Sequence, residues 1–86
     1  MHPRVRKVFP ERNYQLRLQF VNGEERIFDM RPYLRYGVFQ VLKDPKQFTA
    51  VQAVLGSIQW PGGQDLCPDT LYEESQPLSS RRRNKG

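Results

Sequence analysis

The chain has 86 residues, 37% of them hydrophobic and 27% charged, with a net charge of +5. That is room for one domain, too apolar for a wholly disordered chain and too polar for a membrane protein, and no apolar run approaches the ~18 residues of a membrane helix. The single cysteine, Cys67, excludes an internal disulfide. Residues 1–7 also lack the apolar segment of a secretory signal, so a cytoplasmic setting is expected.

Residues 4–10 read as a first strand, in which Val5, Val8 and Phe9 do not alternate cleanly. Residues 11–13 form a turn. The clearest strand follows: Tyr14, Leu16, Leu18 and Phe20 alternate with Gln15, Arg17 and Gln19. A period of two puts the four apolar side chains on one face. Residues 21–23 turn the chain, and residues 24–30 return as its partner. A two-residue Asn-Gly loop would pair Leu18 with Ile27. A three-residue loop with Gly23 left-handed would pair Leu16 with Phe28 and Tyr14 with Met30. The second is preferred because it turns Phe28 and Met30 inward; a slip of one residue would reverse every side chain.

Short helical turns are expected over residues 32–36, with Gly37 as stop, and over residues 38–42, where Phe39 and Leu42 face inward. A third begins at Asp44-Pro45, a cap followed by proline at the first helical position, with Phe48 as anchor. Residues 49–55 read as a strand and Gly56 as a tight turn. Residues 57–60 return with Ile58 and Trp60 on one face. Asp65-Leu66 is extended. Thr70-Leu71-Tyr72-Glu73 fits a capping box, with Asp69 as a competing cap, and starts a final helix ending near Ser75.

The fold class expected is α+β: antiparallel β-hairpins packed with short helices in one domain over residues 1–75. Residues 76–86 are expected to form a flexible basic tail, too poor in apolar groups to offset their ordering entropy. Ten Lys/Arg and nine Asp/Glu up to Ser75 leave the body at +1, and Arg81, Arg82, Arg83 and Lys85 supply the remaining +4.

Two segments are distinctive: Phe20-Val-Asn-Gly23-Glu with Phe28-Asp29-Met30, and Phe48-Thr-Ala-Val51 with Ile58-Gln-Trp60-Pro-Gly-Gly-Gln-Asp65-Leu-Cys-Pro68-Asp-Thr-Leu71-Tyr72. Together they resemble a family of small bacterial proteins, domain-of-unknown-function family 2442, over residues 5–74. The resemblance implies a small α+β fold of hairpins and short helices, and no established activity. The resemblance extends to longer relatives that look like this domain followed by a helix-turn-helix, and to others that look like one half of a two-gene pair of the toxin–antitoxin kind. The chain leaves no room for a helix-turn-helix, so direct DNA binding is not expected to carry over.

Few residues suit catalysis. Nucleophilic chemistry needs a positioned base, and the only histidine, His2, lies beside the terminus. One His and one Cys far apart do not make a metal site, and no cofactor is expected. Cys67, just before a proline near a helix start, could have a lowered pKa there, but the preferred reading is a small buried thiol. Asp29 and Asp65 could converge as an acid/base pair, but Asp also terminates strands and caps amides. Glu24, Glu25, Glu73 and Glu74 read as solvated surface. Residues 61–64 are glycine-rich without the Lys-Ser/Thr of a phosphate loop, so they read as a turn.

The function expected is therefore that of a non-catalytic binding or accessory module, antitoxin-like or regulatory, acting through a protein partner or as a homo-oligomer. Trp60, Asp65, Tyr72 and Asp29 are its candidate binding residues, at the sheet edges and along residues 60–72. The alternative is a nucleic-acid-associated protein in which Arg81, Arg82, Arg83 and Lys85 neutralise phosphates without reading sequence. A small enzyme using Asp29 and Asp65 is a third reading, and it requires both carboxylates in one cleft.

Overall fold

In a computed structural model, which describes residues 2–78, the alternation at Leu16, Leu18 and Phe20 becomes strand β2 (Gln15–Phe20), with all three side chains fully buried. It is flanked by β1 (Val5–Glu11) and β3 (Glu25–Asp29) in an antiparallel sheet. The preferred hairpin register forms: Leu16 faces Phe28 and Leu18 faces Arg26. Gly23 takes φ +93°, and the Asn22 side chain accepts from the Glu24 amide at 3.0 Å, an Asx turn that fixes the loop. The Met30 amide donates to the Tyr14 carbonyl at 2.9 Å, carrying the register one pair beyond the strands.

The irregular pattern of β1 has a physical cause. Its register shifts between Val5 and Lys7, so Val5 is buried while Val8 and Phe9 are only half-buried. A bulge of this kind redirects side chains from one face to the other. Tyr14 departs from expectation. It lies in a 3-10 turn (Arg12–Tyr14) rather than in the strand, and both Asn13 and Tyr14 have left-handed φ, 57° and 59°. Packing offsets that strain: the Tyr14 ring meets Phe48 edge-on at 5.3 Å and its hydroxyl donates to the Lys43 carbonyl.

Two 3-10 segments follow, Arg31–Arg35 and Gly37–Lys43, and bury Leu34 and Leu42. Helix α1 (Pro45–Phe48) begins as expected, with the Asp44 carboxylate accepting from the Lys46 amide at 3.1 Å. Phe48 is buried. The next strand is shorter than expected. Thr49 still closes α1, its hydroxyl bonding the Pro45 carbonyl at 2.9 Å, so β4 spans only Gln52–Val54. It pairs with β5 (Ser57–Gln59), and β6 (Asp65–Leu66) completes a second antiparallel sheet in the order β4-β5-β6.

Helix α2 (Pro68–Glu73) starts one turn before the expected capping box. Proline, with its fixed φ and no amide to satisfy, sets the start at position 68, so Thr70 falls inside the helix. The first sheet then extends past the expected boundary at Ser75. Strand β7 (Gln76–Pro77) pairs with Arg26 and Ile27, giving the order β1-β2-β3-β7. Ser75 is buried and binds the Arg26 guanidinium through its hydroxyl (2.6 Å) and carbonyl (2.8 Å). The α+β class holds. Both sheets and α2 share one apolar core, with Trp60, Phe20, Phe28, Leu16, Leu18, Ile58 and Leu71 at its centre.

Candidate functional site

The core takes most of the large apolar side chains and leaves a few outside it. Phe39 and Leu42 turn inward on the Gly37–Lys43 segment, as their spacing predicts, so Val38 and Val41 must turn outward. Both are exposed, and so is Tyr36 just before them. A hollow of about 520 Å³ adjoins Val38 and is lined by Val38, Phe39, Gly62, Gly63, Gln64 and Asp65. The Gln64 amide donates to the Val38 carbonyl at 3.1 Å and so ties the 61–64 turn to this segment. Gly62 makes room for that amide, since a Cβ there would lie 2.9 Å from Gln64 Oε1. That oxygen is buried without a hydrogen-bond partner among the described residues. In sequence Arg35, Lys43, Asp44 and Lys46 lie in or beside the segment, while Arg31 is paired with Asp29 and Asp65 lines the hollow.

A second cluster is built around Tyr72 on α2. Its hydroxyl donates to Glu24 at 2.9 Å, the Arg26 guanidinium lies 4.3 Å over its ring, and Phe20 meets it edge-on. His2 stacks on it at 5.0 Å and bonds Glu73 at 2.8 Å. Glu24 is held below its ordinary value, chiefly by the Tyr72 hydroxyl, and Tyr72 is raised in return. A hollow of about 710 Å³ opens here, lined by Gly23, Glu24, Glu25, Arg26, Tyr72, Pro77 and Leu78. Its polar groups already satisfy one another.

The remaining expected site residues part company. Trp60 is 2% exposed, and its indole N–H donates to the Phe48 carbonyl at 3.0 Å. Its ring packs near Phe39 and Phe48 within the core. Asp29 is clamped by Arg31, with contacts of 2.8 to 3.2 Å, which hold its carboxyl below its ordinary value. It lines a hollow with Phe28, Pro32, Tyr33, Tyr36 and Glu74, whereas Asp65 lines others, so the two carboxylates share no described cleft. Arg81, Arg82, Arg83 and Lys85 lie outside the described residues.

Several acids expected to be solvated surface have specific partners. Besides Glu24 and Glu73, Glu74 accepts from the Tyr33 hydroxyl, and burial together with this carboxylate pushes Tyr33 up to about 12. Cys67 is exposed rather than buried, and its thiol is lowered chiefly by the Thr70 hydroxyl at 3.3 Å. Among the described residues no three His, Cys, Asp or Glu side chains are grouped to hold a metal ion. No helix among them is long and apolar enough to cross a membrane.

Residues 5–77 match the model of a family described as Protein of unknown function (DUF2442). The chain belongs to this family. No curated protein and no solved structure matches it. The matched span of this DUF2442 domain runs from β1 through β7 and takes in the exposed apolar face and the Tyr72 cluster. Sequence reasoning missed that face, although one signal was available. In Val38-Phe39-Gln40-Val41-Leu42 a three-residue spacing can turn only one apolar pair inward.

Proposed function

We propose that this chain is a non-catalytic binding module that works through a protein partner, in the antitoxin-like or regulatory manner that the two-gene setting of some relatives suggests. One observation carries the reading: Tyr36, Val38 and Val41 are large apolar side chains left exposed on one short segment, which Arg35, Lys43 and Lys46 accompany in sequence, and Val38 lines an open hollow. Apolar patches rimmed by polar groups mark interaction sites. The cations select a partner segment with an apolar stripe and acidic flanks, since complementary charge speeds encounter and fixes register. The separation of Asp29 from Asp65 and the engagement of His2 with Glu73 favour binding over catalysis.

The test is capture from the native cell extract by the wild-type chain and by the double variant Val38→Asp, Val41→Asp. Both positions are exposed, so the variant keeps the wild-type circular dichroism and melting temperature. The wild type retains a stoichiometric protein partner and the variant loses it. Equal retention by both, or by neither, would rule this face out.

A further inference from the structure

Two tyrosines in this fold donate their hydroxyls to a glutamate from another element, and only one of the two pairs is completed by a cation. The Tyr72 hydroxyl bonds Glu24 at 2.9 Å. Arg26 holds its guanidinium 4.3 Å over the Tyr72 ring and donates to the other Glu24 oxygen at 3.2 Å. Strands β1 and β2 repeat the theme with phenylalanine: Arg17 lies 4.3 Å over the Phe9 ring and donates to Glu11 at 3.1 Å. In both places an aromatic face and a carboxylate hold one cation between them. A flat, always-charged and weakly hydrated guanidinium suits that pairing better than a compact ammonium.

Tyr33 and Glu74 form the second tyrosine–glutamate pair. Tyr33 lies in the Arg31–Arg35 segment, and its hydroxyl donates to Oε1 of Glu74, the residue that closes α2. Among the described residues no guanidinium lies over the Tyr33 ring and Glu74 is in no ion pair. A hollow of about 310 Å³ adjoins them instead, lined by Phe28, Asp29, Pro32, Tyr33, Tyr36 and Glu74. That volume is at the lower end for small-ligand pockets (~300–1,000 Å³), room for a side chain and too little for a nucleotide. The Tyr33 and Tyr36 rings stand at 68° to each other with centroids 6.4 Å apart, and buried Phe28 backs Tyr33 at 5.6 Å. Tyr36 is 62% exposed, so a group from outside can reach its ring.

The charges of the lining agree. Both Asp29 oxygens are taken by Arg31 at 2.8 to 3.2 Å, which leaves Glu74 as the unbalanced charge. Its Oε2 has no hydrogen-bond partner among the described residues. A phenol that donates to a carboxylate also gains electron density in its ring, which strengthens the attraction for a cation.

We infer that this hollow binds the guanidinium group of an arginine side chain from another protein, held against the Tyr33 and Tyr36 rings and donating to Glu74 Oε2. It thereby completes the arrangement that Arg26 makes with Tyr72 and Glu24. Tyr36 also opens the exposed Tyr36–Val41 segment, so a protein that covers that segment brings an arginine within reach. For the source of the arginine, and for that alone, the inference rests on the proposed binding role.

The test is an NMR titration of the full, ¹⁵N-labelled chain with N-acetyl-arginine methylamide, and with the citrulline analogue, which has the same shape and no charge. The arginine probe gives saturable shifts at Tyr33, Tyr36 and Glu74 with roughly millimolar affinity, and the citrulline probe binds about tenfold more weakly or not at all. Glu74→Gln keeps an acceptor for the Tyr33 hydroxyl, so the protein stays folded while the arginine probe binds about tenfold more weakly. Tyr36→Ala weakens it about three- to fivefold, and Tyr36→Phe, which keeps the ring face, restores it. Absence of saturable shifts, equal binding of the two probes, or binding undiminished in both E74Q and Y36A would overturn the inference. The triple variant Arg81→Gln, Arg82→Gln, Arg83→Gln separates the sources. An affinity equal to wild type supports an arginine from outside, whereas one about tenfold tighter assigns the hollow to the chain's own arginines and overturns it. The probes need no partner, so a failure here and a failure of partner capture at Val38 and Val41 are read separately.

Discussion

Glu24 and Tyr33 are the side chains whose titration most directly reports the fold. Glu24 sits below its ordinary value of 4.5, mainly because the Tyr72 hydroxyl donates to it. A carboxyl lowered in the folded state adds stability that is complete above the unfolded value and lost as pH falls through the folded one. The melting temperature therefore drops below pH 4.5, and Glu24→Gln, which has no carboxyl to protonate, drops less. Equal acid sensitivity in the two proteins would contradict the Tyr72–Glu24 bond. Tyr33 works in the opposite sense. Burial, then Glu74, raises it from 10 to about 12, so its contribution is complete below pH 10 and declines as pH rises through about 12. Tyr33→Phe removes that alkaline decline, which urea unfolding at a series of pH values will show.

At the scale of elements, the first hairpin was the most legible part of the chain, because a strict period of two at Leu16, Leu18 and Phe20 admits one buried face. Its register followed from asking which loop turns Phe28 inward. Gly23→Ala must adopt φ near +93° and destabilises the protein by about 1–2 kcal/mol, even though open space surrounds the position. Chemical denaturation checks this, and an unchanged midpoint would exclude the three-residue loop. The start of α1 was equally legible, since Asp44-Pro45 carries both a cap and a fixed φ. Less could be read where the determinant lies far off in sequence. The burial of Ser75 depends on Arg26, and the strand at Gln76–Pro77 depends on the free edge of β3. Tyr14 leaves the strand pattern because Phe48 and Lys43 give its ring and hydroxyl better partners. Among the candidate site residues, Tyr72 was named only as the end of the 60–72 segment, and its acidic and basic neighbours, Glu24 and Arg26, lie too far off in sequence to be read. The outward face at Val38 and Val41 was implicit in the inward spacing of Phe39 and Leu42.

The whole molecule is small enough that a single core side chain decides whether it folds. A domain of this size buries only ~60% of its unfolded surface. Phe28→Ala removes a fully buried ring at a cost of about 3–5 kcal/mol, comparable to the total stability of such a domain. The variant unfolds at room temperature or close to it, and the single tryptophan reports the change, because Trp60 moves from a buried site into water and its emission shifts to the red. With the core so fully committed, the apolar groups left outside at Tyr36, Val38 and Val41 are the surface on which the proposed binding role rests. Calorimetric titration of the purified partner against the wild-type chain and the Val38→Asp, Val41→Asp variant tests that role most directly. The account predicts at least a tenfold weaker affinity, equivalent to about 1.4 kcal/mol, with the melting temperature unchanged. Equal affinity for both folded proteins would contradict it.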